Sequence, residues 1–169
     1  MMSDITLAFE RSGSGPPLII LHGLFGSSTN WGTVAQCLTK SYSVDRVDLR
    51  NHGASPWHDT MDYIAMADDV KQFIEQHQLE NPIVLGHSMG GKVAMVLAMR
   101  YPALVKALVV VDIAPVTTDT RHAGIVRALR NLNLAAVRSR RDAETALSFD
   151  IPDASLRRFL LQNLMRRET

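Results

Sequence analysis

The stretch Ile83-Val84-Leu85-Gly86-His87-Ser88-Met89-Gly90 decides the fold class, because it joins a strand to a helix through a glycine turn. Its first three residues form a short apolar run typical of a buried strand, and the residues that follow it are apolar nearly all round, as in a buried helix. Side chains at Gly86 or Gly90 would collide with the neighbouring strand and helix. We therefore expect a tight turn that holds Ser88 in a strained conformation.

Ser88 is the candidate nucleophile of this turn. The G-x-S-x-G pattern between a strand and a helix presents the serine hydroxyl at the top of a sheet, in what is termed a nucleophile elbow. The helix N-terminus beneath the hydroxyl favours developing negative charge. The alternative is that Ser88 only caps a helix in an ordinary glycine turn. The flanking strand and helix favour the catalytic role.

Three further runs have the composition of strands, and helix-length segments separate them: Leu18–Leu21, Ser43–Val47 and Ala107–Val111. Residues 63–77 place their apolar side chains on one face, which indicates a helix packed on a sheet. Strands alternating with helices predict an α/β fold with a mostly parallel twisted sheet and helices on both faces. In such folds the chemistry lies at the carboxyl ends of the strands.

The pattern changes near residue 116. Residues 1–116 are expected to form the α/β core, and residues 117–169 contain only helical stretches, which we interpret as a helical cap segment. All ten basic residues of that segment are arginines. The simplest interpretation places them on solvated outer faces of amphipathic helices. The alternative is that some face a pocket mouth and favour anionic acyl substrates such as CoA thioesters.

A second motif, His22-Gly23-Leu24-Phe25-Gly26, follows the strand that ends at Leu21. This is where such folds place one backbone N–H of an oxyanion hole; the second donor is the N–H after the nucleophile. The predicted donors are Leu24 and Met89. The predicted pocket-lining residues are His22, Phe25 and His87. For His22, a structural role that pins its own loop is preferred over proton transfer.

A third motif, Asp48-Leu49-Arg50-Asn51-His52-Gly53-Ala54-Ser55, follows the strand that ends at Val47. Asp48 and Arg50 are placed to tie loops together by charge-assisted hydrogen bonds, and the residues from Gly53 onward have the composition of a turn. A structural role is preferred for this motif. His52 is a candidate for the rim of the site, although nothing in the spacing requires it.

Together with Val111-Asp112-Ile113-Ala114-Pro115, these motifs resemble the α/β-hydrolase superfamily, and within it the small bacterial YbfF-type esterases. The resemblance implies a serine carboxylesterase that acts on small-molecule acyl esters or thioesters without a cofactor or metal, with a helical cap inserted after Val111. It also points to Asp112 as the acidic member of a catalytic triad. A purely structural Asp112 that caps its loop stays open, because some relatives place the acid after the next strand.

The general base is the missing element of this interpretation. Triad order in this fold is serine, acid, histidine, and the family's histidine follows the last strand. His122 is the only histidine after Asp112, and it falls in the first predicted cap helix. We therefore expect the C-terminal strands of the fold to be missing and this chain to be weak or inactive.

Three functional hypotheses follow from these motifs. The preferred one is a serine esterase with a Ser88 acyl-enzyme. The second is a non-catalytic fragment or binding module of the same fold, and the third is an acyltransferase or lyase. Without later strands, Ala107–Val111 is expected at a sheet edge, which is a candidate surface for association.

The composition excludes several partner classes. The chain has 169 residues, of which 46% are hydrophobic and 21% charged, and its 18 basic and 17 acidic residues give a net charge of +1. This balance gives no reason to expect nucleic acid or an anionic membrane as a partner. The single cysteine, Cys37, cannot form an intramolecular disulfide, so a reducing, cytoplasmic location is the expectation.

Overall fold

The computed structural model describes residues 5–116 and 122–165. Its contacts divide the chain into two compact units, Met1–Pro115 and Val116–Thr169. The first unit carries the sheet and the second is helical. Predicted cap residues 117–121 and 166–169, with Arg121, Arg166 and Arg167 among them, lie outside the described residues.

A five-stranded sheet forms the centre of the first unit. The strands, in chain order, are β1 Phe9–Ser12, β2 Pro17–Leu21, β3 Ser43–Val47, β4 Ile83–His87 and β5 Ala107–Val111. Their spatial order is β1-β3-β2-β4-β5, with β1 antiparallel to β3 and all other pairs parallel. This is the mostly parallel α/β sheet that the alternating strands and helices predict.

Strand β1 is the strand that the sequence patterns did not reveal. It pairs with β3 so that Arg11 lies opposite Asp45. The Arg11 guanidinium donates to both carboxylate oxygens of Asp45, over 2.6 and 3.0 Å. Asp45 is fully buried, and a buried carboxylate is costly without a charged partner. Arg11 on the neighbouring strand supplies that partner through the bidentate pair.

Helices pack on both faces of the sheet, as expected. They are α1 Gly32–Leu38, α2 Tyr63–Gln76 and α3 Met89–Arg100. One core joins apolar residues of α2 and α3 to the sheet, among them Phe73 and Leu97. A smaller cluster on Leu18, Ile20 and Val44 includes Ala35 of α1. Parallel strands with apolar side chains on both faces require this two-sided cover.

Helix α3 and strand β5 are more exposed than their apolar sequences predict. Met99, near the end of α3, is 73% exposed, so this helix is not buried all round. Leu108 and Val109 of β5 are also exposed. The physical reason is position: within residues 5–116, β5 pairs only with β4 and forms one edge of the sheet.

The described residues of the second unit form three short α-helices, α4 Ala123–Asn131, α5 Arg140–Ala146 and α6 Ala154–Leu160. Ser139 and Asp153 cap α5 and α6 by accepting backbone N–H groups at their first turns. Buried apolar residues form a small core: Ala143, Leu147, Ile151, Leu160 and Leu161. No helix in the described part of the chain is long and apolar enough to cross a membrane.

Candidate active site

Ser88 lies between β4 and α3 with φ 50° and ψ −114°. This is the conformation of the first central residue of a type II′ turn, which normally requires glycine. The Ser88 N–H donates to the Val111 carbonyl oxygen over 3.0 Å, which fixes the turn against the end of β5. A serine in this region carries strain of about 1–3 kcal/mol. The strained elbow expected from the sequence is therefore present.

The glycines around Ser88 are required by backbone contacts. A Cβ atom at Gly86 would collide with the carbonyl oxygen of Gly90, and one at Gly90 would collide with the carbonyl oxygens of Leu21 and His22. These neighbours are main-chain atoms of the sheet and of α3, so they cannot move aside cheaply. The close approach brings the loop after β2 against the start of α3.

The loop after β2 meets the helix through one backbone hydrogen bond, from the Gly90 N–H to the His22 carbonyl oxygen over 3.1 Å. Among the described residues, neither the Leu24 amide nor the Met89 amide donates a hydrogen bond. Met89 is the first residue of α3, where amides have no intrahelical acceptor. Within the described residues, neither predicted oxyanion donor is thus engaged by a protein acceptor.

His22 is buried and both of its ring nitrogens are engaged. Nδ1 lies 2.8 Å from the Gly23 carbonyl oxygen, and Nε2 accepts the Leu49 N–H over 3.0 Å. Because Nε2 is an acceptor, the proton resides on Nδ1 and the ring is neutral. Burial, more than any other factor, lowers the pKa of His22 to about 4. The ring therefore holds its loop to the loop after β3.

His52, whose place at the rim the sequence leaves open, contacts the loop after β2. Its Nδ1 lies 2.9 Å from the Arg50 carbonyl oxygen, and its Nε2 accepts the Phe25 N–H over 3.3 Å. Burial lowers the pKa of His52 as well. The His22 and His52 rings lie 5.0 Å apart. Two neutral imidazoles thus support the loop that carries the Leu24 amide.

Asp48 and Arg50 tie loops together, but through different partners. The Asp48 carboxylate accepts the Ser28 N–H over 2.6 Å and the Ala54 N–H over 2.9 Å. The Arg50 guanidinium forms a buried bidentate pair with Asp69 of α2, over 2.6 and 2.7 Å. Asp69 was not identified from the sequence. The sequence feature that indicates such a pair is an acidic residue, Asp69, on the face of α2 that is buried.

Asp112 and His87 lie beside the elbow. Asp112 directly follows β5 at φ 55°, and its side chain is 88% exposed. Its Oδ2 is 4.0 Å from His87 Nε2, which is too long for a hydrogen bond. The His87 ring is 5.9 Å from that of Trp31, between centroids, and lies against Gly23. The pocket-lining roles of His22, Phe25 and His87 stay predictions.

Three residues with unfavourable backbone conformations lie at the carboxyl edge of the sheet. Six non-glycine residues of the described chain have positive φ, and three of them are Phe25, Ser88 and Asp112. These three follow β2, β4 and β5 respectively, all at the carboxyl edge of the sheet. Strained residues persist where the surrounding structure holds them, and they cluster at functional sites.

No general base is visible in the described part of the chain. Within residues 5–116 and 122–165 the Ser88 hydroxyl makes no hydrogen bond to a ring nitrogen. His122 lies in the second unit, at the residue before α4. The same described residues contain no cluster of three side chains that could hold a metal ion.

Comparison with curated proteins gives relatives of the same kind. The chain is 42% identical over 166 residues to the Xenopus laevis protein named sn-1-specific diacylglycerol lipase ABHD11, covering 94% of this chain and 53% of the relative. It is 34% identical over 160 residues to esterase YbfF of Escherichia coli, covering 94% of this chain and 63% of the relative. It thus spans about half the length of the first relatives it matches.

Solved structures and a family profile agree with these relatives. A marine microorganism esterase superposes with a TM-score of 0.94 at 44% identity, covering 98% of this chain and 66% of that one. The profile described as alpha/beta hydrolase fold matches residues 16–148. With the sheet order, the strained serine and the glycine contacts above, these matches show that the chain belongs to the alpha/beta hydrolase fold family.

Proposed function

We propose that this chain carries the nucleophile and oxyanion hole of a serine esterase that cleaves small-molecule acyl esters or thioesters. The observation that carries the proposal is the conformation of Ser88, at φ 50° and ψ −114°. A serine held where glycine is preferred, at the N-terminus of a helix, has no evident structural purpose. Relatives named as an esterase and a lipase support the reaction class.

In the proposed reaction the Ser88 hydroxyl oxygen bonds to the acyl carbon as its proton passes to a base. The resulting oxyanion accepts hydrogen bonds from the Leu24 and Met89 amides, each contributing roughly 3 to 4 kcal/mol to the transition state. Collapse breaks the bond to the alcohol or thiol, which leaves with the proton. Water then attacks the acyl-enzyme by the same route. In this scheme the base is an imidazole, and Asp112 orients it.

The absence of a base near Ser88 in the described residues suggests a chemical-rescue experiment. Added imidazole can accept the Ser88 proton if Asp112 and the oxyanion donors are in place. We expect hydrolysis of p-nitrophenyl butyrate by this chain to rise with imidazole concentration. The measured quantity is the rate above that of Ser88→Ala in the same buffer, because imidazole also cleaves this ester directly.

Two matched variants separate the proposed roles. Asp112→Asn is expected to lose most of the imidazole-dependent rate, because an amide no longer stabilises an imidazolium. Ser27→Ala, a serine on the loop after β2, is the control and is expected to retain it. An imidazole-dependent rate equal in wild type and Ser88→Ala would refute the proposed nucleophile.

Acyl transfer is the second candidate. The chain is 40% identical over 162 residues to a Saccharomyces cerevisiae protein named probable alcohol acetyltransferase, covering 89% of this chain and 47% of that one. Transfer requires only that an alcohol or thiol replaces water at the acyl-enzyme. Product analysis with added ethanol distinguishes the two, since transfer yields an ethyl ester and hydrolysis yields the free acid.

We also propose that the second unit is part of a cap and that its arginines influence substrate charge. Arg138 and Arg140 line a cavity of about 660 Å³ within this unit, together with apolar side chains: Leu134, Val137, Leu164 and Met165. A cavity lined by both apolar and cationic side chains suits an anionic acyl substrate. A higher rate with an acyl-CoA than with its uncharged thioester analogue, lost in Arg138→Gln, supports this role.

The edge strand β5 is the proposed surface for association. Its first three side chains are exposed, and within the described residues its outer edge is unpaired, which is a template for pairing with another strand. Size-exclusion chromatography of wild type and Val109→Lys tests the proposal. A charge on the edge is expected to shift the protein towards the monomer, and an unchanged elution volume counts against it.

A further inference from the structure

We propose that His52 is a positioning residue for the oxyanion hole: by accepting the Phe25 N–H it fixes the loop that presents the Leu24 amide. The inference rests on the proposed role of Leu24. It goes further because it assigns a function to a residue on the loop after the next strand, β3, which is not among the residues proposed to contact the reacting atoms.

The contacts form a continuous path. Helix α2 holds Arg50 through Asp69, the Arg50 carbonyl oxygen lies 2.9 Å from His52 Nδ1, and His52 Nε2 lies 3.3 Å from the Phe25 nitrogen. Phe25 has φ 63°, a conformation that is unfavourable for a phenylalanine without external support. The His52 ring supplies one such support from the side.

The other end of the same loop is held separately. The His22 carbonyl oxygen accepts the Gly90 N–H over 3.1 Å, and the His22 ring is neutral and buried behind the loop. Leu24 therefore lies between two fixed points, the His22 backbone and the Phe25 amide. The Gly26 N–H also donates to the Gly23 carbonyl oxygen over 3.0 Å, which closes the turn around Leu24. Removal of the His52 contact is therefore expected to loosen the placement of this turn, and with it the direction of the Leu24 amide.

The contact requires a neutral His52. With Nδ1–H donating to a carbonyl, Nε2 can accept only when it carries no proton. The groups that face the ring are His22, whose own ring is neutral, and the Asp48 carboxylate, which favours protonation. His87 in turn faces His22. Burial outweighs the effect of Asp48, so the pKa of His52 lies below its usual 6.5 and the acceptor is intact at neutral pH.

Two substitutions test the acceptor. In His52→Gln the side-chain oxygen can take the place of Nε2 without titrating, whereas His52→Ala removes the acceptor. We expect His52→Ala to slow fluorophosphonate modification of Ser88 by about tenfold to a hundredfold through the maximal rate, not through probe affinity. His52→Gln is expected to stay within about threefold of wild type. His58→Gln, at an exposed histidine of the same loop region, is the control.

The pH profile distinguishes positioning from a merely structural role. As the pH falls through the pKa of His52, which burial holds below its ordinary 6.5, wild type should lose modification rate because Nε2 gains a proton, and His52→Gln should not show this loss. Equal rates for His52→Ala and wild type, or the same acid limb in His52→Gln, would overturn the inference.

An NMR titration makes the outcome independent of Ser88 reactivity. The amide signals of Leu24 and Phe25 should shift with the same midpoint as the His52 imidazole, and should stay constant in His52→Gln. If wild-type Ser88 reacts no faster than other serines, the proposed function fails, and this titration still decides the inference. Amide signals that do not follow the imidazole would overturn it.

Discussion

Relief of backbone strain at Ser88 is a direct consequence of its conformation. Replacing Ser88 by glycine removes the cost of placing a Cβ atom at φ 50° and ψ −114°, whereas replacing it by alanine keeps that cost. The Ser88 side chain makes no hydrogen bond in the described residues, so loss of the hydroxyl affects both variants equally. The strain amounts to about 1–3 kcal/mol.

The opposing effect is the larger conformational entropy of glycine in the unfolded chain, about 0.5–1 kcal/mol. Ser88→Gly should therefore unfold with a free energy about 1 kcal/mol above that of Ser88→Ala. Ser41 supplies the matched control: it is exposed, lies in a turn, and is not among the described residues with positive φ. There the order should reverse, with glycine less stable than alanine.

Urea denaturation followed by circular dichroism measures all four variants. The entropy of glycine cancels in the difference between the two sites, so that difference equals the strain at Ser88. We expect about 1–3 kcal/mol. A difference below about 0.5 kcal/mol, the usual error of such comparisons, would show that the elbow stores no strain and would refute the reasoning.

Three further predictions concern the supports of the site. Asp69→Asn should lower the free energy of unfolding by about 3 kcal/mol, because it leaves the buried Arg50 guanidinium without its charged partner; a loss below about 1 kcal/mol contradicts a buried pair. Gly90→Ala should cost about 3 kcal/mol or prevent soluble expression, since its Cβ meets main-chain oxygens; near-wild-type stability contradicts the close approach. The pKa of His22 is about 4 in the folded protein, below its ordinary 6.5, so the unfolded chain takes up this proton first as the pH falls. Stability is expected to fall between about pH 6.5 and pH 4 by roughly 3 kcal/mol, and urea midpoints that stay constant over that range argue against a buried neutral ring.

Local sequence patterns predicted the turn at Ser88 and the helix α2. The G-x-S-x-G turn predicted the strained Ser88, and the apolar periodicity of residues 63–77 predicted α2, which spans Tyr63–Gln76. The periodicity of α2 depends on residues close in sequence. In the turn, the two glycines themselves indicate a backbone that leaves no room for side chains.

The features that the sequence did not reveal depend on partners distant in the chain. Strand β1 carries no apolar run, and it is held by an ion pair between Arg11 and Asp45. Arg50 pairs with Asp69 across 19 positions in the chain. His52 looked like an optional rim residue because no local spacing indicates that its ring reaches Phe25, 27 positions away.

Strand β5 lies at the sheet edge expected for it, within the described residues. Its five consecutive apolar residues are typical of a strand buried on both faces, yet the structure leaves much of it exposed. A hydrophobic pattern reports the environment in which a segment is stable, and it does not report which of its faces and edges other elements cover.

The central claim is that Ser88 is the nucleophile, and competitive labelling tests it most directly. The chain is treated with a fluorophosphonate, and mass spectrometry compares modification of Ser88 with that of the other serines. Even without a general base, the oxyanion hole should accelerate reaction at Ser88 by about 10³-fold over an exposed serine such as Ser41. Modification of Ser88 that is no faster than that of Ser41 in the folded chain would contradict the claim.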